Sequence, residues 1–335
     1  MTRRYVKELT NGEAVDQVFL VADKQLRANR QGGLYLHLDL RDKSGVISAR
    51  LWNATEELAR RFDTGDFLAT RGKVNLHQGA LQLIVSHIET VDPATVEEAE
   101  FQARSPLDVS RLTQRLRQHL NSVSDPHLRA LGECFLIDDG FLAKFTRAPA
   151  GIRNHHAYHA GLLEHTVALL DLSARVAELY PEVDGDLLKM GAFLHDVGKI
   201  DELSYDRSFG YTDEGQLIGH LVMGVSILRE QIVKSTDLTG EPFPDELRLR
   251  LEHMIVSHHG THEFGSPKLP MTPEAIALHY LDNLDAKLHL FTREIRDDPT
   301  REAAWTPFQN SMQRRIFKGR AGRNGDDGGS TGEGD

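Results

Sequence analysis

AFLHDVGKI, residues 192–200, sets an adjacent histidine and aspartate, His195 and Asp196, directly after an apolar run. An imidazole and a carboxylate together at the end of a buried helix form the donor set of a metal site. Reading outward, further potential ligands stand at wide intervals: His165 before the stretch, then His220, the pair His258-His259, and Asp282 after it. Each has an apolar, helix-like neighbourhood. Nitrogen and oxygen donors on separate helices can converge on one divalent cation or on a pair. Such a centre most often performs metal-assisted hydrolysis of a phosphate ester.

The surrounding sequence supplies those helices. The segments 161–180, 187–200, 219–234, 245–259 and 273–295 read as helical, so nearly everything from about residue 151 to 296 is predicted to be helix. Residues 96–149 read as a helical connector, with a helix-start signal at Asp125-Pro126. Twelve of the 17 histidines fall between His155 and His289, which marks this half as the chemical one.

The first region has another period. In LYLHLDLRD, residues 34–42, Leu34, Leu36, Leu38 and Leu40 alternate with Tyr35, His37, Asp39 and Arg41. Period two with one apolar face predicts a half-buried strand. Strands are also predicted over 17–27, 46–52, 67–76 and 80–92, with a short helix over 54–62 and a hairpin at His77-Gln78-Gly79. Five strands with a helix between the third and fourth fit a small closed barrel of the OB type. The tail after Lys318 is Gly-rich and polar and reads as disordered. The expected order is therefore a barrel over 1–95, a connector over 96–149, a helical domain over 150–317 and a tail over 318–335.

Bulk properties set limits. With 40% hydrophobic and 27% charged residues, the 335-residue chain has a globular composition and room for two cores. It shows no bilayer-spanning run and no signal-peptide core, so no membrane partner is expected. The single cysteine, Cys134, fits a reducing cytoplasm. A net charge of −11 argues against a general nucleic-acid binder. The charge is unevenly spread, however. Residues 1–92 carry 13 Lys+Arg against 12 Asp+Glu, and the remainder carries 26 against 38, part of it candidate ligand carboxylate.

His165, His195-Asp196 and Asp282 together resemble the HD-domain superfamily of metal-dependent phosphohydrolases, and His220 and His258 resemble its two-metal members. The resemblance implies one cation on His165, His195, Asp196 and Asp282. It implies a second on Asp196, His220 and one or both of His258 and His259, with Asp196 bridging. It favours Asp282 over Asp285 as the last ligand. A barrel, a helical linker, and then NHHAYHAGLLEHT, HDVGK, SHHG and LDNLDAK look like the YhaM-type 3′–5′ exoribonucleases, over nearly all the chain up to about residue 315. Ala160-Gly161, where many members carry a glycine pair, and the polar C-terminal extension depart from the pattern. Neither touches a proposed ligand.

The resemblance implies single-stranded RNA as substrate, leaves single-stranded DNA and an oligomer open, and favours Mn. A mixed His/carboxylate shell by itself suits Mn, Fe, Co or Ni better than Mg. Lys199, four residues after His195, is the candidate cation for the developing phosphate charge; its plain alternative is a solvated helix-end lysine. On the barrel, Tyr35, His37, Arg50 and Trp52 form a candidate outward surface for stacking and charge contact with a single strand. Trp52 could instead pack beneath the barrel helix, and Arg50 could be a solvated strand residue. His155, His156 and His159 are candidates to contact the terminal nucleotide, with structural roles as the alternative. The competing functions are an HD phosphohydrolase of small nucleotides and a non-catalytic nucleic-acid-binding regulator.

Overall fold

The computed structural model describes residues 3–29, 32–77, 79–97, 100–101, 108–152, 158–205, 209–298, 303–309 and 312–319. Gln78 of the expected hairpin, His155, His156 and positions 320–335 of the expected tail lie outside the described residues.

Five strands, β1 (Ala14–Ala28), β2 (Leu34–Asp42), β3 (Gly45–Trp52), β4 (Phe67–His77) and β5 (Ala80–Val91), close a barrel in the order β1-β2-β3-β5-β4. The leucine alternation of β2 does what its period requires: Leu36, Leu38 and Leu40 are fully buried. The long β1 closes the barrel by serving two neighbours. Its first half pairs with β4 and its second half with β2, and a register shift between Val21 and Asp23 bends it between them. A second shift falls at Arg71/Gly72 in β4. A Cβ on Gly72 would lie 2.3 Å from the Ile84 carbonyl oxygen, so only glycine lets β4 and β5 cross there. β3 and β5 pair in parallel, which seals the cylinder. The expected helix between β3 and β4 shortens to one turn, α1 (Glu56–Ala59), capped by the Thr55 side chain.

The second half is helical. α2 (Val109–Asn121), α3 (Pro126–Ile137) and α4 (Asp139–Phe145) each start at an aspartate, Asp108, Asp125 and Asp138, whose side chain accepts backbone N–H groups. Each cap contributes about 1 kcal/mol. α5 (Gly161–Leu179) and α6 (Gly185–Leu194) follow, packed around a core that includes Leu162, Val167, Phe193, Met254 and Leu278. The helix predicted over 187–200 is not continuous. α6 stops at Leu194, residues 195–198 form a turn, and α7 (Lys199–Glu202) restarts. The break lets the chain pass against the start of α9 (His220–Thr239), where a Cβ on Gly198 would sit 2.1 Å from the His220 carbonyl oxygen. A ribbon of two two-residue strands, β6 (Leu203–Ser204) and β7 (Gly210–Tyr211), and the short α8 (Asp213–Leu217) precede α9. Two residues are too few to show a period, so the ribbon left no sequence signal. α10 (Asp245–Ser257) and α11 (Pro273–Arg296) complete the domain. Among the described residues no helix is long and apolar enough to cross a membrane.

The barrel's outer face meets the helical domain. The Arg41 guanidinium lies 4.7 Å from the centre of the Phe209 ring, beside a cleft of about 650 Å³ that Val46, Tyr158 and Arg293 help to line. Beyond α11, residues 303–309 and 312–319 form an arm, held by bridges between Trp305 and Phe317 and between Gln309 and Arg314. The arm is fixed to the end of α11 by an ion pair of Lys318 with Asp298. It reaches the barrel at the β4–β5 hairpin, where a Cβ on Gly79 would lie 3.1 Å from Pro307.

Candidate metal centre

Five helical elements deliver six donors to one buried point. His165 comes from the first turns of α5, His195 and Asp196 from the turn after α6, His220 from the first residue of α9, His258 from the end of α10 and Asp282 from the middle of α11. His259 adds a seventh. Three overlapping sets have donor atoms within 4.8 Å of one another: His165, His195 and Asp282; His195, Asp196 and His258; and His220, His258 and His259. Asp196 lies at the junction. Its two oxygens approach His195 Nε2 at 3.2 Å, His220 Nε2 at 3.5 Å and His258 Nε2 at 3.6 Å. Every residue read from the sequence as a ligand is thus brought to the same place, and both members of the His258-His259 pair are within reach of it.

The ring orientations are fixed from behind. Nδ1–H of His195 donates to the Ala192 carbonyl at 2.9 Å, that of His258 to the Ile255 carbonyl at 2.8 Å and that of His259 to the Phe264 carbonyl at 2.8 Å. Nδ1–H of His220 donates to Glu202 at 2.9 Å, and that of His165 to Asp285 at 2.7 Å. In all five rings one nitrogen is occupied by an outer acceptor, and the other, Nε2, is left to the centre. That is the arrangement by which proteins set the tautomer of a metal-binding imidazole.

The fit to a cation is carried by unsatisfied atoms. Nε2 of His195, Nε2 of His220 and Oδ1 of Asp196 are buried and make no hydrogen bond. Buried polar atoms without partners cost about 1–3 kcal/mol each, so a cluster of them around one point marks a place for a ligand. Donors of this kind, imidazole nitrogen and carboxylate oxygen, suit a divalent cation.

The electrostatics agree. Burial opposes ionisation of Asp196, yet the Lys199 ammonium and the neighbouring imidazoles hold its carboxyl well below the usual carboxylate range. Burial also opposes protonation of His165, but its hydrogen bonds to Asp282 and Asp285 outweigh it and push the imidazole up to about 9. A cation entering there displaces that proton.

Lys199 is not a solvated helix-end lysine. Its ammonium donates to Asp196 Oδ2 at 2.7 Å and to the Ala150 carbonyl at 2.8 Å, inside the protein. Glu202 and Asp285 were not singled out as site residues from sequence. Asp285 lies one turn beyond Asp282 on the same face of α11, a relation the spacing contains. Glu202 had no such signal, since its approach to His220 depends on the break after α6. Glu202→Ala should weaken divalent-metal affinity about 10–100-fold, the usual cost of losing an outer acceptor. Calorimetric titration of the chelated protein checks this, and unchanged affinity would argue that His220 needs no orienting partner.

The barrel candidates also come together. Tyr35 pairs with Trp52, and His37 with Arg50, across β2 and β3. The Tyr35 and Trp52 rings lie 5.0 Å apart, and the Arg50 guanidinium is 5.9 and 5.7 Å from them. Trp52 is 43% exposed, so it does not pack beneath α1. His37 hydrogen-bonds Ser48 at 3.0 Å. His159, a candidate contact for the terminal nucleotide, faces the protein interior. It is buried, its Nδ1 faces the Arg147 carbonyl at 3.2 Å, and its ring packs edge-on against Phe209.

Comparison with known proteins follows the two halves. Residues 162–287 match the HD domain family, and residues 20–91 match the family of OB-fold nucleic acid binding domains. The chain is 35% identical over 307 residues to the 3′–5′ exoribonuclease YhaM of Bacillus subtilis (strain 168), covering 91% of this chain and 95% of that protein. Among solved structures it is similar to the second OB-fold domain of replication protein A from Methanococcus maripaludis. That match has 23% identity and a TM-score of 0.23, over 28% of this chain and 98% of that one. A replication protein A heterotrimer bound to single-stranded DNA matches at 17% identity and a TM-score of 0.24, over 33% of this chain and 29% of that one.

Proposed function

The chain belongs to the family of the 3′–5′ exoribonuclease YhaM, and from that premise we propose that it shortens single-stranded RNA from the 3′ end, releasing nucleoside monophosphates at a centre of two divalent cations. The observation that carries the reading is the convergence of five oriented imidazoles and two carboxylates, with buried donor atoms that no protein group satisfies. His165, His195, Asp196 and Asp282 would hold one cation, and Asp196, His220, His258 and His259 the other. This nitrogen and oxygen set suits Mn, Fe, Co or Ni, and the family likeness favours Mn among them.

Bound cations would supply charge stabilisation at the phosphate and a water activated for in-line attack. The protein groups do the rest. Asp196, near His195, His220 and His258 at once, would be the donor common to both positions. Lys199 holds the Asp196 carboxylate from one side and brings a fixed positive charge to the phosphate. Glu202 and Asp285 keep the His220 and His165 rings turned toward the centre. Tyr35 and Trp52 would stack bases and Arg50 meet the backbone, without sequence readout. Arg50, His37 and the two aromatics therefore act on the strand, not on the bond. Single-stranded DNA, which offers the same stacking and phosphates, is a second substrate on this reading. Of the three histidines considered for the terminal nucleotide, His155 and His156 keep that proposed role. His159, turned to the Arg147 carbonyl, would act on the strand only by holding the segment between residues 147 and 159. We treat 1–95, 96–149, 150–317 and 318–335 as the working division of the chain. The buried lone thiol of Cys134 supports a cytoplasmic setting.

Incubating the protein with Mn²⁺ and RNA labelled at its 5′ end should give a ladder that shortens from the 3′ end and disappears with chelator. A folded protein that leaves RNA intact in every divalent cation but hydrolyses free nucleotides would replace this reading with a small-nucleotide phosphohydrolase.

A further inference from the structure

The arm after α11 has a pattern that burial alone does not explain. Its side chains alternate, and the aromatic ones are those that face outward. Thr306 and Ile316 point inward and are buried, while the neighbouring Trp305 and Phe317 point outward at 46% and 53% exposure. Their rings lie 4.9 Å apart, and the Arg315 guanidinium is 6.0 Å from the Trp305 ring. Phe308, outside that pair, is 54% exposed as well.

Charge and position point the same way. Between residues 303 and 319 the sequence contains Arg314, Arg315 and Lys318 and no acidic residue, within a chain of net charge −11. The arm touches the barrel through Pro307 against Gly79. β5, which follows the hairpin at Gly79, runs parallel to β3 from Ser48 opposite Gln82 to Leu51 opposite Val85. Gly45 and Val46 line the cleft between barrel and helical domain. The arm thus meets the barrel at the hairpin of β5, the strand beside β3, which carries Arg50 and Trp52. Both tryptophans of the chain are half exposed, Trp52 on the barrel and Trp305 on the arm.

We propose that the arm is a second stacking platform for the single strand, with Trp305, Phe308 and Phe317 receiving bases and Arg314 and Arg315 meeting phosphates as the strand leaves the barrel for the metal centre. The proposal rests on the nucleic-acid reading given above. Aromatic rings with adjacent guanidinium groups bind any base by its π-face, which suits an enzyme that must move along a strand. The arm adds no group to the reacting atoms; its residues position the strand.

The test uses the full chain and two tryptophans. In Trp52→Phe the emission of the protein belongs to Trp305 alone. Titration with an RNA of about 20 nucleotides, longer than the roughly 4–16 that one such barrel covers, is followed in chelator by Trp305 emission and, independently, by the anisotropy of a label on the RNA. Saturable quenching that tracks the anisotropy is the expected result. Bound RNA with unchanged Trp305 emission would overturn the proposal. In Mn²⁺, Trp305→Ala and, because that change could loosen the hairpin, Phe308→Ala with Arg314→Ala should each raise KM for the same RNA about tenfold. The rate on a dinucleotide should stay unchanged. Equal losses on both substrates would make the arm a structural clasp and overturn the proposal. Failure of the unaltered protein to cut either RNA would sink the exonuclease reading instead, while the emission change would still decide the arm.

Discussion

Asp196→Asn should slow RNA shortening by at least about 1,000-fold while leaving RNA binding at the barrel intact. Cations bound at phosphoryl-transfer centres supply several kcal/mol of charge stabilisation, and each 1.36 kcal/mol is tenfold in rate. Among the described residues Asp196 is the one carboxylate paired with His195, His220 and His258 together, so its loss affects both proposed positions. Asparagine keeps the shape and removes the charge. It also leaves the buried Lys199 ammonium without its counter-ion, and breaking a buried pair costs about 3–5 kcal/mol. A lowered Tm is therefore expected alongside the lost rate, and the assay must be run well below it. The anisotropy of labelled RNA separates the two effects, because the barrel lies in a different core from the metal centre. Retained turnover in a folded variant would remove Asp196 as the shared ligand.

The second large effect is on the substrate's other end. Tyr35→Ala combined with Trp52→Ala should raise KM for long RNA about 30- to 100-fold, with little change on a dinucleotide. Stacking is worth about 1–3 kcal/mol per base, and the two rings lie side by side, so their losses need not add fully. The half-exposed Trp52 and its partner contribute little to the barrel core, and stability should hold. Affinity of the unaltered protein should also fall as salt rises, because phosphate contacts release counterions. A KM that stays flat for long RNA would assign the barrel to something other than strand binding.

The sequence made some of this legible and hid the rest for physical reasons. The leucine period of β2 and the spacing of His165, His195, Asp196, His220, His258 and Asp282 were visible because each ligand keeps an apolar, helical neighbourhood. The break after Leu194 was not. Val197, Lys199 and Ile200 continue the helical period, and the close packing of Gly198 against His220 at the break joins residues far apart in sequence. Glu202 was hidden for the same reason, since the break places it behind His220. The outward aromatics of the arm escaped notice because a short, irregular hairpin after a long helix has no period of its own. Tyr35 and Trp52 could be read as neighbours on one face, but their ring contact depends on a register that the sequence does not contain.

The five imidazoles are backed by unlike acceptors. On the proposed assignment, one position has Asp282 for itself and Asp285 behind His165, while the other has three imidazoles and only Glu202 behind His220. A carboxylate at or behind a ligand raises its basicity, so the first position would hold its cation more tightly. Loading would then be a hierarchy, with the first cation resident and the second on loan from the surrounding pool. If the proposed reaction uses both, RNA turnover would follow the free concentration of the metal around the weaker constant, and the enzyme would double as a gauge of metal supply.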